Sequence, residues 1–491
     1  MTFNLNELQL KALLKIARHG FFASILALTI AALFQYKGHL YIYLLFSAAS
    51  NLLLYFGFRK NAIFFDTFIG VFFWLGFWLK FSIRVAFMDG LFQESVGNYD
   101  GSGTASDHAL LVAVCGFVGF LAASFVRERF VFNYPNRLND ESQQNGLMNL
   151  YKAHRKLILW CFTMLFITIA IANVYFGIYQ KGTITRTILP YGLSGVYKWL
   201  LLFGLASISA LILKFEFTIN KKTPYLVVML SLAESFFSSI SLLSRGMILN
   251  VSALVYGAFI SLKLHSIKSS LRFLAISFLT FAILFGSSVF VVNYMRSSPV
   301  QELLMVIGAK GFTASLYQDI GEQSLGEIKG STKQLLLDRF VGIEGVMAIS
   351  SYPKLGWNLW NEAWKEAYSE NTTSFYDKNL ITSPYINTDF TKHHYISLPG
   401  ILAFCFYPGS FLFLFGSMFL LGALASVIEI SAFKLGGENV ILCSLLAQVV
   451  AYRFASFGYV PSQSYLLFGA LYLNLFIIYF ANKLLLLWNK K

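Results

Sequence analysis

The stretch Tyr225–Leu264 reads YLVVMLSLAESFFSSISLLSRGMILNVSALVYGAFISLKL. Two apolar runs meet at Ser244-Arg245-Gly246. A guanidinium stays charged in proteins, and holding it in hydrocarbon costs several kcal/mol. Arg245 therefore marks either a tight turn between two membrane helices at the water boundary or a cation facing an anionic ligand. Both readings put a permanent positive charge at a membrane surface.

The rest of the chain follows the same pattern. Hydrophobic residues make up 57% of the 491 and charged residues 13%, against roughly 25% charged in an average soluble chain. Long apolar runs recur over the whole length, which predicts an all-α polytopic membrane protein. We read about 12 spans, near 19–35, 40–58, 62–82, 109–126, 157–178, 196–213, 225–243, 247–264, 272–294, 398–428, 439–456 and 462–487. This divides the chain into nine spans over 1–294, one large loop over 295–397 and three spans over 398–491. The first apolar run lacks a small-x-small cleavage site, so no cleaved signal peptide is expected. Leu5 to Ile16 reads as an amphipathic interfacial helix. Cys115, Cys161, Cys405 and Cys443 all lie in apolar runs and imply neither a disulfide framework nor a metal site.

Lys and Arg fix the expected orientation. With the N-terminus inside, the short loops and termini carry 21 on the inner face and 8 on the outer. The long loop is left out because long loops escape the positive-inside rule. Both termini are then cytoplasmic and 295–397 is extracytoplasmic. The net charge of +14 reflects this bias and attraction to anionic lipid heads, so nucleic acid is not an expected partner.

The loop 295–397 holds nine basic and eleven acidic residues. Segments 299–318, 333–352 and 357–368 have helical apolar spacing, with Leu335, Leu336, Phe340, Ile343, Val346 and Met347 on one face. Residues 369–392 read as irregular. The loop Asp89 to His108 is Gly- and Asp-rich and is expected to be disordered at its tip. Trp357, Trp360 and Trp364 share a helix face, either as an interfacial anchor or as a stacking surface for sugars. Arg84 reads as an interface anchor, and Glu234 inside a span calls for a polar partner.

Three cations stand at or near the outer face: Arg245, Arg339 and Arg453. Planar bidentate donors of this kind suit a phosphate or diphosphate. The bland readings are a capped hairpin for Arg245, a surface pair with Asp338 for Arg339 and a snorkelling side chain for Arg453. His393 and His394 close the loop, and a neutral imidazole there can take a proton from a hydroxyl. His394 is preferred because it stands nearer the following span. Cations for a diphosphate leaving group and a base for a sugar hydroxyl suit metal-independent glycosyl transfer. No phosphate-binding glycine loop, His-Glu-x-x-His or Cys-x-x-Cys motif occurs, and no cofactor is expected.

The Ser244-Arg245-Gly246 turn, Arg339, the paired histidines, Leu398-Pro399-Gly400 and Tyr407-Pro408-Gly409 together resemble the Wzy-type O-antigen and capsule polymerases. These are relatives of the O-antigen ligases among GT-C-like membrane glycosyltransferases. The resemblance implies polymerisation of undecaprenyl-diphosphate-linked oligosaccharide repeat units at the outer face of the bacterial inner membrane. It also implies catalysis by His394 or His393, diphosphate binding by Arg245 and Arg339, and a chain-length regulator and a flippase as partners. Arg453 lies outside the stretches that carry the resemblance and is expected to bind diphosphate from its charge and place alone. The ligase branch pairs its loop histidine with Asn and a downstream Glu-x-Gly. Here Tyr407-Pro408-Gly409 stands where that Glu would be, which favours polymerase over ligase. The alternatives are a flippase of lipid-linked sugars, which the long outer loop disfavours, and another GT-C-like enzyme. The latter usually has acids in its first outer loop, and Gln35 to Leu40 has none.

Topology reporters check the orientation. A fusion at Lys491 should report cytoplasm and one at Asn371 the outer side; a cytoplasmic signal at Asn371 would overturn the charge argument.

Overall fold

The computed structural model describes residues 7–92, 95–135, 146–220, 225–244, 246–264, 271–296, 340–370, 372–387 and 394–488. Among these no β-strand occurs. The helices are α1 Glu7–Gln35, α2 Leu40–Gly57, α3 Phe64–Phe87, α4 Gly103–Phe130, α5 Gly146–Phe176, α6 Pro190–Ile219, α7 Tyr225–Ser241, α8 Met247–Leu264 and α9 Leu271–Arg296. The segment 295–397 contributes α10 Ile343–Ser350 and α11 Trp357–Trp364; α12 Ile401–Cys405, α13 Phe411–Leu435, α14 Val440–Ala455 and α15 Ser464–Trp488 follow. Among the described residues nine helices are long and apolar enough to cross a membrane. The other three stretches read as spans form the shorter apolar helices α7, α8 and α14. The segment expected to run as one span from 398 is instead broken. Tyr407-Pro408-Gly409 separates α12 from α13, with Gly409 at φ 75°, because Pro cannot continue a helix and Gly supplies the left-handed turn.

Burial sorts the helices. α14 is almost wholly buried, packed by α3, α6, α8 and α13, whereas α1 and α9 leave most of their apolar surface outward. Outward Leu, Ile and Phe are what a lipid-facing helix needs. Small residues let backbones approach: a Cβ on Gly422 would lie 2.7 Å from Ala123 Cβ, and one on Gly257 would lie 2.8 Å from Ile441 Cα. Such contacts are the usual basis of helix packing in lipid, where apolar burial alone gives little drive.

Polar contacts gather at the two ends of the bundle. At one end Arg127 pairs with Asp66 at 2.7 Å, Arg59 with Glu128 at 3.0 Å and Arg155 with Glu216 at 2.5 Å. There Glu429 accepts from the backbone N–H groups of Phe64 and Phe65, at 2.8 and 2.9 Å, and from Tyr134 Oη. A carboxylate thus caps the positive end of the α3 dipole. At the other end Asp107 accepts from Tyr36 Oη at 2.7 Å and holds His39 Nδ1 at 2.6 Å. Residues 95–108 of the loop expected to be disordered at its tip are held there: Ser95 Oγ donates to Ile381 O at 2.7 Å, and a Cβ on Gly97 would meet Leu380 O at 2.5 Å. This corrects the expectation for that part of the loop. Two groups of polar contacts at a helix length's separation are the arrangement that a slab of hydrocarbon imposes.

Among the described residues of the segment expected to form the large loop, part sits inside the bundle. Residues 343–349 of α10 are all buried. α3 passes through a π-helical segment at Trp74–Leu79, and there a Cβ on Gly342 would lie 1.9 Å from Gly76 O. Next to this contact Lys80 Nζ stands 2.9 Å from Glu344 Oε1 and donates to Phe340 O at 2.7 Å. Both charged side chains are almost completely buried, with residue exposures of 1% and 3%. Of the apolar face expected over 333–352, Ile343, Val346 and Met347 are buried; Leu335 and Leu336 lie outside the described residues.

Breaking a buried pair leaves an uncompensated charge, at a cost of about 3–5 kcal/mol. Lys80→Met should therefore lower thermal stability in detergent markedly, while the double variant Lys80→Met/Glu344→Leu recovers much of the loss. Equal melting of the single and double variants would show that the pair does not hold α10.

Candidate functional site

The α7–α8 connection is a tight turn, one of the two readings that its sequence leaves open. α7 ends at Ser241 and α8 opens at Met247. Leu243 takes φ 49°, Ser244 N–H donates to Ser239 O at 2.8 Å, and Ser239 Oγ donates to Ser244 O. A left-handed residue followed by a six-to-one bond is the Schellman ending of a helix, here with Leu in place of the usual Gly. Arg245 itself lies outside the described residues, as do Arg339 and His393. Glu234, one helical turn and more before the end of α7, finds its polar partners on its own helix, in Ser238 Oγ at 2.8 Å and Ser235 Oγ at 3.3 Å.

The turn is tied to the loop that follows α5. Asn173, fully buried, donates through Nδ2 to Tyr179 O and to Ser241 O, both at 2.9 Å, and accepts from Tyr179 N–H. Lys181 N–H donates to Leu242 O at 2.9 Å. One residue on, Gly182 O accepts the backbone N–H of His394 at 3.3 Å. A single short segment, 179–182, thus touches both the end of α7 and the end of the large loop.

His394 and Arg453 then meet on one residue. Tyr459 Oη lies 3.2 Å from His394 Nε2, and Tyr459 O accepts from Arg453 Nη2 at 3.4 Å. Arg453 Nη2 also donates to Ser464 Oγ at 3.0 Å, and its guanidinium stands 5.3 Å from the centre of the Phe457 ring. Arg453 does not snorkel outward alone; it reaches from α14 to the start of α15. Its Nε and Nη1 make no hydrogen bond among the described residues. His394 Nδ1 is buried and makes none either. Burial pushes the Tyr459 hydroxyl up to about 12, so it stays protonated at neutral pH. The rings of Tyr368 and Tyr459 flank the imidazole, each with its centre 5.8 Å away.

The segment carrying Tyr459 is held from three sides. Gly458 has φ 123°, and a Cβ there would lie 2.4 Å from Pro399 Cγ. Gly400 N–H donates to Phe457 O at 2.9 Å. Val460 sits at φ 45°, and its N–H donates to Glu366 Oε2 at 3.1 Å. Glu366 also accepts from Phe375 N–H, and burial raises its carboxyl above the usual carboxylate range. Asp377 performs the same service nearby, accepting from Ser374 Oγ at 2.6 Å, Thr373 Oγ1 at 2.7 Å and Ser397 N–H at 2.9 Å. It joins residues 373–374 to the chain that leaves His394, at the start of a helical turn over 375–381. The stretch expected to be irregular over 369–392 is therefore helical in part.

Of the five residues expected at the site, the structure describes His394 and Arg453 and brings them together. Sequence reasoning missed Tyr459, Glu366, Asp377 and Asn173. Tyr459 sits between Gly458 and Pro461, a turn signal close to Arg453 that could have drawn notice. The carboxylates carried no signal, because their partners are backbone groups far off in sequence. The first outer loop, devoid of acids in sequence, receives one in space: Asp107 reaches it from α4. Its oxygens are engaged by Tyr36 and by the backbone and side chain of His39, which makes it a latch between α1, α2 and α4. Among the described residues no group of three or more His, Cys, Asp or Glu could hold a metal ion. No family model, no curated protein and no solved structure matches this chain.

Glu366→Ala leaves two backbone donors without their acceptor, each at about 1–3 kcal/mol when buried. Hydrogen exchange at the Val460 amide should accelerate at least tenfold in that variant while the amides of α4 keep their protection. Unchanged exchange at Val460 would remove Glu366 from the support of the site.

Proposed function

We propose that the protein polymerises lipid-diphosphate-linked oligosaccharide repeat units by glycosyl transfer at the outer face of the bacterial inner membrane, with twelve spans and both termini inside. The observation that carries this reading is the meeting of His394 and Arg453 on Tyr459, at the bundle end opposite the Arg59, Arg127 and Arg155 pairs. A cation suited to phosphate oxygens and an imidazole with an unengaged nitrogen stand on either side of one tyrosine. The Ser244–Gly246 turn is tied to the same place through residues 179–182.

In the proposed reaction a hydroxyl of the acceptor unit attacks the anomeric carbon of the donor glycan. The bond from that carbon to the diphosphate oxygen breaks, and the lipid diphosphate leaves with the bonding pair. The hydroxyl proton passes to His394 Nδ1. Tyr459 holds the imidazole through Nε2, so Nδ1 carries the lone pair when Nε2–H points at the tyrosine oxygen. Arg453 neutralises charge that develops on the leaving diphosphate, with Arg245 and Arg339 as its proposed companions. His393 is the second candidate for the base. A large, partly buried loop beside such a site is suited to shield the donor from water.

Glycan ladders from a deletion strain carrying single variants test this. His394→Gln should abolish chains beyond one repeat, since general-base help contributes about 10²–10⁴-fold. Arg245→Lys keeps charge but loses the planar fork and should cut polymer yield strongly at normal expression. Full ladders from His394→Gln, Arg453→Ala and Arg245→Ala alike would refute the assignment. Loss of even the single-repeat product would point to a flippase.

A further inference from the structure

We infer that α11 lies in the outer membrane–water interface, with its tryptophan face embedded among lipid headgroups and upper acyl chains. The argument starts from exposure. Trp357 and Trp364 are 54% and 40% exposed, on a helix of only eight residues. An aromatic face left open to water on a loop helix is costly, at roughly 25 cal/mol per Å² of apolar surface. Two observations say what covers it.

The first is continuity with a span. The ring of Trp357 packs at 4.9 Å against Phe413, and Trp360 packs against Phe413 at 5.9 Å. Phe413 belongs to the first turn of α13, one of the nine helices suited to cross a membrane. Its neighbours Leu412 and Phe411 are 81% and 41% exposed. The aromatic face of α11 is therefore joined through Phe413 to the exposed first turn of α13, and lipid that covers the one reaches the other. The second is charge. Lys354 before the helix and Lys365 after it are both exposed, and lysines flanking aromatic residues match the anionic phosphates of headgroups. The flank next to the tryptophans carries Asn358, Asn361 and Glu362, all exposed, while Leu359 and Ala363 are buried against the protein. A polar flank beside an aromatic one suits a helix lying flat in an interface. A sugar-stacking platform would account for the rings but not for their continuity with a membrane helix.

The placement fixes the depth of the candidate site. Glu366 and Tyr368 follow α11 directly, and both belong to the cluster around Tyr459. The His394–Arg453 pair then stands near the level of lipid phosphates, whatever reaction it serves.

Fluorescence quenching in liposomes tests the inference without any activity measurement. The purified protein and its Trp357→Phe/Trp364→Phe variant are reconstituted in phosphatidylcholine–phosphatidylglycerol vesicles. The lipids are brominated either near the ester end or near the methyl end of the acyl chain. The difference in emission isolates the two tryptophans. It should be lost mostly to bromine near the ester end, weakly to bromine near the methyl end, and little to iodide in the aqueous phase. Quenching by iodide alone would mean that the face meets water or glycan. Quenching by neither would mean that protein covers it. Stronger quenching by the deep bromine would place it in the hydrocarbon core. Each of these three results overturns the inference.

Discussion

Two buried opposite charges, Lys80 and Glu344, hold α10 in the bundle. Neither can leave its partner without exposing the other to an environment that cannot solvate it. Their pairing requires α10 to enter between α3 and α4, and that entry requires the Gly76–Gly342 contact, where any side chain would collide with backbone. Once α10 is seated, the chain on either side of it is committed. Phe340 lies against Phe72, and the described residues of 350–370, 372–387 and 394–397 lie at the same end of the bundle. There they meet the 179–182 segment and the α14–α15 connection. The site is a consequence of that seating, since no single helix carries both His394 and Arg453.

The joint at Gly458–Val460 shows how strain is tolerated at this end. A left-handed Val is disfavoured, yet its N–H has a carboxylate acceptor and its neighbours are clamped by Pro399 and Gly400. Leu243, left-handed two residues before Arg245, is likewise held: its N–H donates to Ile240 O, and the next residue, Ser244, donates to Ser239 O. Both strained residues border the cations expected to meet an anionic ligand. Positions that surrounding structure over-determines are where a rigid, preorganised site can be built.

Much of this was legible in the sequence. Apolar runs predict where the helices lie, because lipid permits little else, but not all of their bounds: α5 begins at Gly146, well ahead of the run expected from 157, and α13 only at Phe411. The turn at Ser244–Gly246 follows from a lone arginine between two such runs. The break at Tyr407-Pro408-Gly409 was missed because apolar residues continue on both sides, so hydropathy alone joins α12 to α13. The ordered 95–102 loop was missed because its partner, residues 380–381, lies far along the chain. The buried seating of α10 was equally hidden: Lys80 reads as a cation near a span end, and only the fold supplies Glu344. Of the candidate site, residue types were readable for His394 and Arg453, but their common partner Tyr459 was not. Contacts to backbone carbonyls leave no pattern in sequence.

The most direct test of the account is a purified reconstitution. The protein alone, in liposomes supplied with a lipid-diphosphate-linked oligosaccharide on the outer leaflet side, is followed for free lipid diphosphate and for glycan length. Release of one lipid diphosphate for every repeat added, with chains growing and no other protein present, is the predicted result. Movement of the lipid-linked oligosaccharide across the bilayer with the diphosphate bond intact would contradict it.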